Sequence, residues 1–320
     1  MPRLLFVKTS SLGDVVHHCP AVTDAARRFP DSRIDWVVEA PFAEVARLHP
    51  AVSRVIPVSV RRWRGALASP GTWREIAAFR RALCEVRYDA IVDTQGLLKS
   101  ALICAGAQGE RHGYDRASIR EPWAARFYDR VHPVPPSLHA VERNRRLTAA
   151  ALAYAPEGPA DYGLRIPDPD HDEDGNFALL LTMTSREDKL WPEEHWQTVG
   201  RRLEARGLAC LLPWGSEEER RRCERIATGL QRASVPPRMT LQALARVARR
   251  AAIVVGVDTG LAHLAVAAGA PTLGLYCNSD PSLTGLHGAG FVRNLGGIGR
   301  APGPGEVASA MEEALQARAP

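Results

Sequence analysis

A chain of 320 residues, 45% hydrophobic and 24% charged, is long enough for two ordinary domains and too apolar for a disordered protein. Six cysteines (Cys19, Cys84, Cys104, Cys210, Cys223 and Cys277) stand far apart with no paired spacing, which argues against a zinc site or disulfide framework and fits a reducing compartment. The net charge of +5 is uneven: residues 1–150 hold 23 Lys+Arg against 15 Asp+Glu, a net +8, and the remainder 18 against 21, a net −3. This suggests an anionic partner for the first half alone, with solvation on helix faces the better reading for most of its arginines.

No stretch reads as a membrane span. The most apolar region, Ala251 to Tyr276, is interrupted by Asp258, His263 and Pro271, and the opening MPRLLFVKTSS has too short an apolar run for a signal peptide. A cytoplasmic protein is the expectation. Only three of the 41 basic residues are lysine (Lys8, Lys99, Lys189), so each lysine marks a place where a compact ammonium has been kept.

In chain order, the apolar run Leu4–Lys8 predicts a strand and Asp14–Phe29 an amphipathic helix. Between them "VKTSSLGD" supplies small residues (Ser10, Gly13) that let backbone approach a ligand. Asp14 is either a helix cap or a general base. Strands are predicted at Ile34–Val38, Val52–Val58 and Ala90–Asp93, with helices near Thr72–Val86 and Leu97–Ala105. The basic knot "RRWRG" (Arg61, Arg62, Arg64) is an exposed turn or an anion site, and Lys99 and Arg120 are weaker candidates. A Pro/Gly/Asp-rich linker is expected over Ala155–Asn176, after which the alternation restarts.

The second half predicts strands at Ala178–Thr182, Cys210–Pro213, Ile253–Val257 and Thr272–Leu275, with helices between them. "TSREDKLWPEEHW" puts Lys189 in the loop after the first of these. "WGSEEE" opens a helix with carboxylates, and "VVGVDTGLAHLA" runs from a strand through Asp258-Thr259-Gly260 into a helix bearing His263. Free amides at such a helix start suit a diphosphate, and a simple cap is the alternative. Strands alternating with helices in two blocks give the fold class: α/β, with two Rossmann-like parallel sheets. There is no GxGxxG fingerprint, so an ordinary NAD site is unsupported. No carboxylate, histidine or cysteine cluster has metal-ligand spacing, and no metal or cofactor is expected.

Taken in order, "VKTSSLGDVVH", "IPVSVRRWR", "DTQGLLKSAL", "GYDRASIREPWAARFYDR", "HAVERNR", "DKLWPEEHW", "LPWG" and "VGVDTGLAHLAVAAG" resemble the bacterial lipopolysaccharide heptosyltransferases over nearly the whole chain. "TSSLGD" with "RRWR" is most similar to members adding the first heptose. The resemblance implies a GT-B type glycosyltransferase of two facing Rossmann-like domains. Residues 1–160 would bind the acceptor, completed by a C-terminal helix over 306–320, and 161–305 would bind the donor. It implies inverting, metal-independent transfer from ADP-heptose to a Kdo sugar on lipid A, by an enzyme peripheral on the cytoplasmic face of the inner membrane. Asp14 would be the catalytic base. Thr184, Ser185, Lys189, Glu217, Met239, Asp258, Thr259, Gly260 and His263 would hold the donor. Ser10, Gly13, Arg61, Arg62, Arg64 and Arg120 would face the acceptor.

The chain departs from the family pattern at "LTMTS", which lacks a histidine near Thr182. Leu190 stands in place of a common histidine, and "YCNSDP" in place of "YGPTDP". Another acceptor or sugar nucleotide is the alternative. A nucleic-acid binder is disfavoured by the local basic excess and 6% aromatic content.

Overall fold

The computed structural model describes residues 1–167 and 175–317. Residues 168–174 of the expected linker, and 318–320, lie outside the described residues. Two compact units emerge, Met1–Arg165 and Ile166–Pro320.

The first unit has six strands: β1 (Arg3–Val7), β2 (Arg33–Glu39), β3 (Val52–Val58), β4 (Arg87–Asp93), β5 (Gln108–Tyr114) and β6 (Arg130–His132). Its helices are α1 (Leu12–Arg28), α2 (Ala43–Arg47), α3 (Val60–Gly65), α4 (Pro70–Cys84), α5 (Leu98–Ala105) and α6 (Ala140–Ala151). All pairings are parallel, in the order β3-β2-β1-β4-β5-β6. Helices cover both faces, which is why β1 and β2 are buried at every position after the first rather than at alternate ones. Leu5, Val7, Val37, Ile56 and Ile91 form one core. On the other face Phe6 and Trp36 each meet His18 of α1 edge-on, with ring centroids 5.0 Å apart.

The second unit repeats the plan with β7 (Gly175–Leu181), β8 (Ala209–Leu211), β9 (Ala233–Ser234), β10 (Ala251–Val257), β11 (Thr272–Tyr276) and β12 (Val292–Gly296). Its helices are α7 (Glu193–Ala205), α8 (Glu217–Ala227), α9 (Leu241–Arg250), α10 (Gly260–Ala267), α11 (Pro281–Thr284) and α12 (Pro304–Ala317). The order is β12-β11-β10-β7-β8-β9, the same winding as the first sheet. Trp191 and Trp196 are fully buried packing residues, edge to face at 5.1 Å. The C-terminal helix departs from expectation. Val307, Ala310, Met311 and Ala314 of α12 belong to the core of the second unit, because that face is apolar at helical spacing and the second sheet leaves a place for it.

In each sheet the chain winds outward one way from a central strand and then returns to wind the other way. The reversal falls between β1 and β4, and between β7 and β10. Ligands of doubly wound sheets bind beyond the carboxyl ends of the strands at such a reversal.

Candidate functional site

At the first reversal, the loop after β1 and the loop after β4 are bonded together. Gln95 Oε1 accepts from the amides of Thr9 (3.0 Å) and Ser10 (3.1 Å). Buried Lys8 donates to the Thr94 carbonyl at 2.9 Å, and Lys99 donates to Ser10 Oγ at 2.9 Å. Asp93, wholly buried, accepts from the Gln95 and Gly96 amides (2.8 and 3.2 Å) and from the Tyr128 hydroxyl (2.7 Å). Gly96 turns at φ +68°, where a side chain would also press on Ile119, so glycine is required there. These bonds fix a rigid platform under Ser10.

Asp14 occupies the third position of α1. Its Oδ2 accepts from the Ser11 amide at 2.6 Å and the Ser11 hydroxyl at 3.2 Å, the reciprocal bond of a capping box. No hydrogen bond among the described residues falls on Oδ1. The carboxylate is therefore held in its cap through one oxygen only. Of the two alternatives read from the sequence, the cap is present. Gly13 is buried one residue before.

The basic groups divide. Burial raises the Glu39 pKa, and Lys99 and Arg61 lie close enough to pull against that rise. Burial lowers the Lys99 pKa, opposed by Glu39 and Asp14 and helped by Arg61. Arg120 adds its field at Lys8, whose pKa burial lowers. Arg62 points elsewhere: it forms an ion pair with Glu75 of α4, which also accepts from Trp63 Nε1. Arg64 is the penultimate residue of α3, so "RRWRG" lies in a short helix and not a turn, with Arg61 and Arg62 meeting different neighbours.

At the second reversal, Lys189 follows β7 and Asp258 follows β10. Lys189 Nζ donates to Asp258 Oδ2 at 2.6 Å, with side chains 18% and 14% exposed. Ser279, after β11, donates to the same oxygen at 2.7 Å, and Thr184 Oγ1 donates to the Asp258 carbonyl at 2.8 Å. Thr259 and Gly260 begin α10, and His263 on its first turn is buried. Asn278 bonds Asp188, which pairs with Arg186. Ser185 is exposed beside Thr184. Glu217 opens α8 and pairs with Arg220 at 2.9 Å, while half-buried Met239 precedes α9. These two stand after β8 and β9, along the same sheet edge but outside the bonded cluster. Gln95, Glu39, Asn278 and Ser279 complete the picture beyond the residues expected, beside Lys99, a weaker candidate in the sequence. The signal for them is position: Gln95, Asn278 and Ser279 follow strand ends closely, and Glu39 is the last residue of β2.

No group of three or more His, Cys, Asp or Glu positioned to hold a metal ion occurs among the described residues. No described helix is long and apolar enough to cross a membrane.

Residues 76–302 match glycosyltransferase family 9 (heptosyltransferase). The chain belongs to this family. Family 9 relatives include the lipopolysaccharide heptosyltransferase 1 of Pseudomonas aeruginosa, 48% identical over 296 residues (91% of this chain, 82% of the relative). The Escherichia coli K12 protein of the same name is 45% identical, covering 89% and 91%. Among solved structures, E. coli heptosyltransferase WaaC with ADP superimposes with a TM-score of 0.90 at 42% identity, covering 98% of this chain and 99% of that one. The E. coli ADP-heptose lps heptosyltransferase II, at 19% identity and TM-score 0.79, shares the fold. This family 9 chain is thus a glycosyltransferase of GT-B architecture, and each unit carries one bonded loop cluster as a candidate functional region.

Proposed function

We propose that this enzyme transfers L-glycero-D-manno-heptose from ADP-heptose to a Kdo sugar of Kdo-lipid A, with inversion, at the cytoplasmic face of the inner membrane. The observation that carries the reading is the Lys189–Asp258–Ser279 cluster at the reversal of the second sheet, in a chain 42% identical to a heptosyltransferase solved with ADP.

The chemistry follows from the two halves. The acceptor hydroxyl oxygen attacks the anomeric carbon of the donor as the bond from that carbon to the diphosphate breaks. Positive charge develops on the sugar and negative charge on the departing ADP. Asp14, through Oδ1, takes the hydroxyl proton. Lys189 keeps one N–H on Asp258 and has two more for phosphate oxygens, joined by the amides that open α10. Asp258 thereby aims the ammonium rather than quenching it. No divalent metal takes part in this scheme, so activity should survive EDTA. Lys99, Arg61 and Arg120 in the basic unit suit a carboxylated, phosphorylated acceptor.

The test is to offer ADP-heptose with Kdo-lipid A and with lipid A lacking Kdo. A mass gain of one heptose on the first only supports the assignment. Transfer to neither, or equal transfer to both, overturns it.

A further inference from the structure

The first unit carries an exposed apolar strip that the bonded loop clusters do not use. Leu98 and Leu102 of α5 are 40% and 53% exposed, Trp123 in the 3₁₀ turn Pro122–Phe127 is 65% exposed, and Val131 of β6 is 47% exposed. The 3₁₀ turn packs along α5, and Trp123 and Val131 line one shallow hollow with Arg116 and Arg126. The Arg126 guanidinium lies over the Trp123 ring, 4.5 Å from its centroid.

The charges around the strip are net positive, with Arg111, Arg116, Arg120, Arg126 and Arg130 against Asp115, Glu121 and Asp129. Asp115 accepts from the Ser118 amide at 2.8 Å, Glu121 from the Leu98 amide at 2.6 Å, and Asp129 is paired with Arg111 at 2.6 Å. Arg116 and Arg126 have no carboxylate partner among the described residues. Large apolar groups left in water are unfavourable, and so is a cluster of unneutralised guanidinium groups. An indole with an arginine across its face suits the boundary between headgroups and acyl chains, where one side is apolar and the other wet. A fluid anionic surface offers phosphates wherever the arginines fall.

We propose that this face of α5 and the Pro122–Phe127 turn docks on a bilayer bearing anionic phospholipids, with Trp123, Leu98 and Leu102 entering the headgroup boundary and Arg116 and Arg126 meeting lipid phosphates. The inference deepens the acceptor reading and rests on it for its purpose. Lys99, on the same helix, holds Ser10 beside Asp14, so a bilayer under α5 presents a membrane-anchored acceptor to the base.

The test is co-sedimentation of the full chain with phosphatidylcholine vesicles, with and without phosphatidylglycerol and containing no acceptor. Wild type should bind only the anionic vesicles. Leu102→Ser with Trp123→Ser, and separately Arg116→Gln with Arg126→Gln, should weaken binding about tenfold or more. Both pairs should keep the wild-type circular dichroism and wild-type transfer to a short soluble acceptor. Wild type that ignores anionic vesicles, or paired variants that bind as wild type does, overturns the proposal. So does a wild-type dimer in light scattering that the serine pair dissociates, since the strip would then be a self-interface. Vesicle binding without heptose transfer to any Kdo acceptor instead removes the acceptor reading.

Discussion

In the proposed scheme Lys189 divides its bonding between protein and substrate. Its ammonium is held by Asp258, and Asp258 in turn by Ser279. Removing the ammonium takes away a phosphate partner and leaves the Asp258 carboxylate uncompensated beside the donor diphosphate. Lys189→Ala should therefore lose about 1.5–3 kcal/mol of donor interaction, read as a raised KM for ADP-heptose and a lower kcat. Donor kinetics at wild-type values would take Lys189 out of the site. The scarcity of lysine was an informative signal here. Lys8 anchors one loop to another, Lys99 holds Ser10, and Lys189 meets Asp258. What composition does not reveal is a neutral residue that acts through backbone: Gln95 looks unremarkable in "DTQG" yet grips two amides. The departure "YCNSDP" is likewise opaque as a string. In the structure its serine keeps a hydroxyl on Asp258, where the family pattern has threonine, and its asparagine bonds Asp188.

Among elements, α3 separates two roles within five residues. Arg61 lies toward Glu39 and Lys99, while Arg62 is turned to Glu75. Neutralising Arg61 and Arg64 together to glutamine should raise the acceptor KM about tenfold for each arginine that meets the acceptor, and flatten its salt dependence, with ADP affinity unchanged. Arg62→Gln should leave acceptor kinetics alone. Acceptor kinetics that respond to Arg62 but not to Arg61 and Arg64 would reverse this assignment. The helix was illegible in the sequence because six residues dominated by arginine have no apolar period, and the polar strands β5 and β6 were missed for the same reason. Strands such as β1 and β10 were legible as nearly unbroken apolar runs, and the half-exposed edge strand β3 was legible from its valines and isoleucine.

The seam between α1 and the chain after α2 makes a second prediction at this scale. His49 is 2% exposed. The Ala51 amide donates to its Nδ1 at 3.3 Å, so Nε2 carries the proton and faces Thr23 Oγ1 at 2.9 Å. Burial lowers its pKa from 6.5 to about 4, against the pull of Asp161. The unfolded chain thus takes up a proton that the folded chain refuses. The stability from neutral His49 is complete above the unfolded pKa and is lost as pH falls toward the folded one. Urea unfolding should show a loss of about 2 kcal/mol between about pH 7.5 and about pH 5 from this residue. His49→Gln should remove that part of the slope, and an unchanged slope in the variant would contradict the account.

For the whole molecule, the same winding occurs twice and each copy places one bonded loop pair at its reversal. The sequence discloses that repetition through two blocks of strand and helix, and the charge split of +8 against −3 points to the anionic partner of the first. It does not disclose where α12 packs, because an apolar helix face is compatible with either core. In the proposed scheme proton removal falls to the first unit and leaving-group stabilisation to the second. Asp14→Asn tests it most directly, since asparagine keeps the shape and an oxygen for the cap while deleting basicity. The measurement is kcat for heptose transfer alongside the affinity for ADP-heptose, with unfolding as the control. The account predicts wild-type donor affinity and near-normal stability, with kcat lower by roughly 10²–10⁴-fold. A folded Asp14→Asn enzyme that binds both substrates and turns over near the wild-type rate would contradict it, leaving Asp14 a cap alone.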